Sequence, residues 1–303
     1  MNAIDQAFIR AYQADETVTA STVAAPRVAS TAVPQAHART TPHLRMPGEM
    51  TVRAATVPAS AASERRPLSA FANPGPIVEA HFKPALEVDG FRWPVTCTDL
   101  IARYPEHLQP ALYTLLAADE AGRSLIGIAG PAAGVGCTTV LACLARLLAE
   151  HGKSVALVDG NFASPGLATQ LGLSVDTGWE DVLAGTVPLA ESVVYSLGDR
   201  IALLPLVAGG ALAVEKLEAI HASVTAGVLR YHYDMVLFDL GAIGEGVQGS
   251  TARRIARQCR LDGVVLTSGI AAPSTVHPQR LMQTAPELAA ICLGVVENQL
   301  RAA

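Results

Sequence analysis

A short apolar run, Leu125 to Ala129, enters the glycine-rich turn Gly130-Pro-Ala-Ala-Gly134-Val135-Gly136-Cys137-Thr138-Thr139, and the turn opens onto a helical stretch that runs to about residue 150. Glycines at 134 and 136 permit a tight turn whose backbone can approach an anion closely. A helix that begins there presents free N–H groups and a partial positive charge. These features suit a phosphate group, with Thr138 placed to offer its hydroxyl to a phosphate-bound Mg²⁺. One component is missing. Loops of this type carry Lys where this chain has Cys137, and the first glycine of their spacing would fall at Pro131, one residue after Gly130. Taken alone, the segment reads equally as a generic glycine turn in front of a helix.

Two carboxylates stand in comparable places. Asp159 follows the apolar run Ser154-Val-Ala-Leu-Val158, and Asp239 follows Met235-Val-Leu-Phe238. A carboxylate delivered by a buried strand to a phosphate loop can orient water or hold Mg²⁺. For Asp159 the alternative role is to cap the turn that follows. Each signal is weak alone, but the loop, Asp159 and Asp239 come in order and each ends an apolar run. The candidate set is Gly130, Gly134, Val135, Gly136, Cys137, Thr138 and Thr139 around the phosphates, with Thr138, Asp159 and Asp239 toward the metal and the chemistry.

The elements that must position these residues are legible from patterning. Strands are expected at 125–129, 154–158, 201–206, 234–238, 262–267 and 291–296, all short continuous runs rich in Val, Ile and Leu. Continuous rather than alternating apolarity indicates strands buried on both faces, as in a parallel sheet. Helices are expected at 138–151, 164–171, 178–185, 214–230, 249–259 and 277–289, with one further helix at 97–118 ahead of them. This alternation predicts an α/β fold, a doubly wound and mostly parallel sheet with helices on both faces. In such sheets the ligand site lies at the carboxyl ends of the strands, where the three motifs fall.

Composition bounds the rest. Of 303 residues, 50% are hydrophobic and 16% charged, enough to bury a sizeable core, and the net charge of −5 speaks against a nucleic-acid partner. Five cysteines without a CxxC pair read as reduced thiols in a cytosol. No apolar stretch has the roughly 18 residues of a membrane helix, so any membrane association is expected through a partner. Residues 1–14 place Ile4, Phe8 and Tyr12 on one helical face with Ala7 and Ala11, a short amphipathic helix that is either a frayed terminus or a docking element. Residues 15–85, rich in Ala, Thr, Ser and Pro, read as a disordered tether. The folded domain is expected from 86 to 303.

The domain resembles the MinD/ParA-type P-loop ATPases, and within them the bacterial tyrosine autokinases of capsule and exopolysaccharide synthesis. The loop 130–139 matches their Walker A element. Val155-Ala-Leu-Val-Asp159-Gly-Asn161-Phe-Ala-Ser-Pro-Gly-Leu167 is similar to their Walker A′ element, and Tyr233-Asp-Met-Val-Leu-Phe-Asp239 to their Walker B. Gly178-Trp-Glu-Asp-Val-Leu-Ala-Gly185 and Gly294-Val-Val-Glu-Asn298 resemble two further stretches. The second implies that Asn298 faces a nucleotide base. The resemblance implies the P-loop NTPase fold, ATP or ADP with Mg²⁺ as ligands, and a membrane polysaccharide co-polymerase or chain-length-determinant protein as partner. It also implies a cytoplasmic location, with recruitment to the inner membrane face by that partner.

The chain departs from the family pattern where chemistry is done. Cys137 replaces the Walker lysine, and Ala132 occupies the place of the extra signature lysine of MinD-type loops. Asn161 replaces the second acidic residue of Walker A′, and the residues up to 303 carry no tyrosine cluster. Cys137 is expected to be a weak donor whose pKa the helix N-terminus draws toward thiolate. Lys153 precedes its strand, at the wrong end to replace the missing lysine, and Lys216 is left open for that role. The expected function is therefore a tyrosine-kinase-like subunit of exopolysaccharide synthesis with weakened nucleotide binding and impaired catalysis, acting in regulation or scaffolding. An active autokinase or ATPase with an atypical site is the alternative, and a MinD/ParA-like positioning ATPase the third. Trp93 and Trp179 read as packing residues. Arg253, Arg254, Arg257 and Arg260 read as a solvated helix face or a surface for self-association.

Overall fold

The computed structural model describes residues 82–208, 220–243, 247–269 and 285–298. Segment 1–14, the tether up to residue 81, Lys216 and most of the helix expected at 277–289 lie outside them. Residues 82–85, assigned above to the tether, already pack on the domain. The Phe82 ring lies 5.5 Å from that of His232, and the Ala85 N–H donates to the Ala190 carbonyl at 2.7 Å. The folded region thus begins before residue 86.

The chain enters on β1 (Leu86–Val88), followed by α1 (Val95–Arg103) and α2 (Pro105–Glu120). These two helices replace the single helix expected at 97–118, and Pro105 is the reason. Proline disfavours helical backbone in the residue before it. Tyr104 accordingly leaves the helix at φ −138° and ψ 46°. Pro105 then occupies the first turn of α2, where its missing N–H costs nothing. Next come β2 (Leu125–Gly130), α3 (Cys137–Glu150), β3 (Val155–Asp159), the short helices α4 (Leu167–Gln170), α5 (Trp179–Leu183) and α6 (Leu189–Ser192), and strands β4 (Val194–Ser196) and β5 (Ile201–Leu204). The chain continues through α7 (Ile220–His232), β6 (Met235–Ala242), α8 (Val247–Gln258), β7 (Gly263–Gly269), α9 (Pro286–Ala289) and β8 (Cys292–Asn298).

All eight strands form one sheet in the order β1-β4-β5-β3-β6-β2-β7-β8. Every neighbouring pair is parallel except β4 with β5. The six expected strands are all present. The two unexpected ones, β1 and β4, have three residues each, too few to carry a period. Both sheet faces are covered. Phe162, Trp179, Phe238 and Ile255 belong to the core on one face, and Leu112, Leu115, Leu141 and Leu144 to the core on the other. Every residue of β2, β3 and β5 is buried, which is why these runs are apolar without alternation.

The strand order positions the site. β6 is inserted between β2 and β3, so the ends of β3, β6 and β2 lie side by side. Asp159 pairs directly with Asp239, and Asp239 with Ile128. The ladder between β2 and β6 then slips by one residue, with Ala129 opposite Gly241. Leu240 is the extra residue, and Gly241 absorbs the irregularity at φ 62°.

Candidate phosphate-binding site

The loop between β2 and α3 is shaped by glycine. Gly134 and Gly136 have φ values of 79° and 96°, in the left-handed region that residues with a Cβ rarely enter. Gly130 serves differently. A Cβ there would run into Val135, Thr267 and, at 2.8 Å, the Cys137 sulfur. The loop therefore folds back tightly on the end of β2. α3 begins immediately after Gly136, and no side chain caps its first turn. Its N–H groups remain directed at the space inside the loop.

Cys137 is buried at the floor of this loop. Its sulfur lies 3.0 Å from the Thr267 hydroxyl oxygen and 3.6 Å from the Gly241 carbonyl oxygen. The Thr267 hydroxyl donates to the Ala129 carbonyl at 3.2 Å. The Cys137 S–H has one proton, which can go to the Gly241 carbonyl or to the Thr267 oxygen. Burial pushes the thiol up to about 12, and the nearby Asp239 charge works the same way. The expected drift toward thiolate is corrected. The sulfur sits in the closed junction of β2, β6 and β7, where desolvation outweighs the attraction of the helix N-terminus.

Thr138 and Asp239 are brought together. The Thr138 hydroxyl donates to Asp239 Oδ2 at 2.6 Å, and the Gly241 N–H donates to Oδ1 at 3.1 Å. Burial raises the Asp239 pKa against these two bonds. Asp159 is 1% exposed, and its carboxylate accepts three N–H groups. Oδ2 takes those of Gly166 and Leu167, both at 3.0 Å, and Oδ1 takes that of Asn161 at 3.2 Å. The capping role is thus realised, and it leaves one lone pair of Oδ1 uncommitted. Burial pushes the Asp159 carboxyl up to about 6, with the Asp239 charge adding to the effect against the three donors.

Other expected residues fall around this centre. Val135 is buried beside Gly269 at the end of β7. Thr139 lies in the first turn of α3. Asn298 closes β8 opposite Gly269, two strands from the loop. The Asn161 amide lies directly over Gly241, where any Cβ would collide with it. Lys153 is held at the opposite end of β3 by Asp119, with Nζ 2.6 Å from the carboxylate. Trp179 is fully buried against Phe162 and Phe238. Arg253 pairs with Glu287 at 3.3 Å.

Thr267 and Gly241 are the site residues that sequence reading missed. Thr267 ends the apolar run Gly263-Val-Val-Leu266, and the strand-end rule that found the two aspartates would have found it. Gly241 gave no such signal, because its role follows from the slip between β2 and β6. Among the described residues, no group of three His, Cys, Asp or Glu side chains is arranged to hold a metal ion, and no helix is long and apolar enough to cross a membrane. All five cysteines are free thiols.

A parallel sheet with a glycine loop leading into a helix, and with acidic residues ending the two strands beside it, defines a P-loop NTPase fold. A profile of the family described as "Cellulose biosynthesis protein BcsQ" matches residues 123–290, more than half of the chain, and the chain belongs to that family. No curated protein sequence matches it significantly. Among solved structures, the chimerical protein CapA2B2 is similar with a TM-score of 0.60 at 18% identity, over 72% of this chain and 96% of that one. The kinase domain of Escherichia coli tyrosine kinase ETK gives 0.59 at 19%, over 67% and 81%. The BceF tyrosine kinase domain gives 0.57 at 19%, over 67% and 82%. At these identities the likeness is one of fold, and the fold is that of the bacterial tyrosine kinase domains.

Proposed function

We propose that this chain serves polysaccharide synthesis as a regulatory or scaffolding subunit that has kept a nucleotide-shaped site and lost phosphoryl transfer. The observation that carries this reading is the Cys137 thiol, buried, protonated and turned toward Thr267 and Gly241. A lysine in its place would set a full positive charge against the phosphates of a nucleotide. In a site shielded from water such a charge stabilises the transferring phosphoryl group by several kcal/mol. A neutral, buried thiol contributes none of this.

The remaining groups suit weak binding of ATP or ADP. The loop and the first turn of α3 supply N–H donors for phosphate oxygens. Thr138 and Asp239 would hold Mg²⁺, which when bound neutralises phosphate charge. Asp159, committed to three N–H groups, would orient the site through its one remaining lone pair. The family description supports a role in making a polysaccharide, cellulose being the polymer it names. A membrane polysaccharide co-polymerase or chain-length-determinant protein is the partner this reading requires. It would bring the subunit to the inner face of the membrane.

A second reading, an active ATPase with an atypical site, draws on one observation, the assembled Thr138–Asp239 pair. Calorimetric titration of the full chain with ATP and ADP, with and without Mg²⁺, combined with a turnover assay, separates the two. The expected outcome is weak binding without turnover, and a gain of at least about tenfold in affinity, or 1.4 kcal/mol, in Cys137→Lys. ATP turnover that Asp239→Ala abolishes would overturn the proposal in favour of the second reading.

A further inference from the structure

On the face of the sheet that carries α1, α2 and α3, a groove of about 620 Å³ lies between the first two helices and the edge strand β8. Leu100, Leu108, Ala111, Val140, Val295 and Val296 line it. Tyr104 and Val295 at its rim are each about half exposed, at 47% and 48%. A concave apolar surface of this kind is a place where another segment docks. Its depth between a helix and a strand suits an amphipathic helix that inserts side chains from one face.

We infer that residues 1–14 of the same chain occupy this groove, with Ile4, Phe8 and Tyr12 as the inserted side chains. Their spacing puts them on one face of a helix, with Ala7 and Ala11 between them allowing close approach. The reach is sufficient. The described chain begins at Phe82, beside β1, and β1 and β8 are the two edges of the sheet. Seven inter-strand steps of ~4.8 Å put those edges ~34 Å apart. A flexible linker the length of residues 15–81 has a root-mean-square span of ~45 Å. A segment tethered at such a distance is present at an effective concentration of about 0.1–1 mM, so modest intrinsic affinity is enough to keep it docked. α9, the helix before β8, does not fill the groove: its Leu288 packs in the core of the opposite face with Ile255, and its Glu287 pairs with Arg253 of α8. Nothing in this docking requires a bound nucleotide.

The full chain carrying Ile4→Asp and Phe8→Asp tests it by amide hydrogen exchange. Exchange in α2 and β8 is expected to accelerate about tenfold relative to the wild type, with α7, on the other face, unchanged as an internal control. Unchanged exchange in α2 and β8 would overturn the inference. A photo-crosslinking side chain at position 8 gives an independent reading. Crosslinks within one chain to residues 100–114 or 292–298 support the inference. Crosslinks between two chains would assign the groove to a second copy, and crosslinks to any other part of the chain would place the segment elsewhere. Either result overturns it.

Discussion

Asp159 and Asp239 are adjacent in register, buried, and raised in pKa by burial. The sign of the consequence is fixed. Asp159 titrates near 6 in the folded chain against an ordinary value of 3.8, so the folded state binds its proton more tightly than the unfolded state. The stability this proton brings is fully present below about pH 4 and is lost as pH rises through 6. For this residue the urea midpoint should fall between pH 4 and pH 7. Asp239→Asn keeps acceptor and donor atoms for Gly241 and Thr138 but removes the neighbouring charge. The variant should gain about 1 kcal/mol on the wild type at pH 8 relative to pH 5. Parallel pH profiles for the two proteins would show that Asp239 does not act on Asp159. At this scale the carboxylates and the thiol are identifiable from the strand-end motifs alone. The state of each depends on neighbours far along the chain. Burial at the junction of β2, β6 and β7 keeps Cys137 protonated, against the Thr267 hydrogen bond, and no local motif records that junction.

Among the elements, the carboxyl-terminal loops depend on the central strands, while the β1 edge depends on a single side chain. Asp199 accepts the Phe91 N–H at 2.7 Å, the Trp93 indole N–H at 2.8 Å and the Ser196 hydroxyl. Burial works to raise its pKa, and these three bonds outweigh that and lower it. Arg146 of α3 lies over the Trp93 ring, 5.4 Å from its centre, so the same bracket reaches the helix that carries the loop. Asp199→Ala strands two N–H donors and should cost about 2–3 kcal/mol. Hydrogen exchange should rise in β1 and β4 before the central strands respond, and uniform acceleration across the sheet would refute a local bracket. The patterning that revealed six strands could not reveal these two, because three residues are too few to show a period. The break between α1 and α2 was legible in principle, since Pro105 announces it. The apolar positions on either side of it were in phase and hid it.

At the scale of the whole molecule, the described domain has two cores sharing one sheet. Leu144 lies in one and Phe238 in the other, and both are at most 1% exposed. Strands buried on both faces couple the two, so the domain should unfold as one unit. Leu144→Ala and Phe238→Ala should each lower a single common transition, by about 3–5 kcal/mol. Separate transitions by far- and near-ultraviolet circular dichroism in either variant would mean that the two faces unfold independently.

The sequence by itself determined the class of fold, because buried parallel strands must be apolar throughout and the helices between them must be amphipathic. It also determined which residues stand at the strand ends, and that a cysteine occupies the place of a lysine. The tertiary structure decided what those residues do. The insertion of β6 between β2 and β3 makes Asp159 and Asp239 neighbours and sets the Asp239 charge against Asp159. The slip after Ile128 sets Gly241 under Asn161 and beside the Cys137 sulfur. Strand order and register arise from pairings between residues about 80 to 140 positions apart, and local periodicity carries no information about them. The same long-range pairings turn a glycine loop without its lysine from a weak motif into a site that joins a buried thiol to two buried carboxylates.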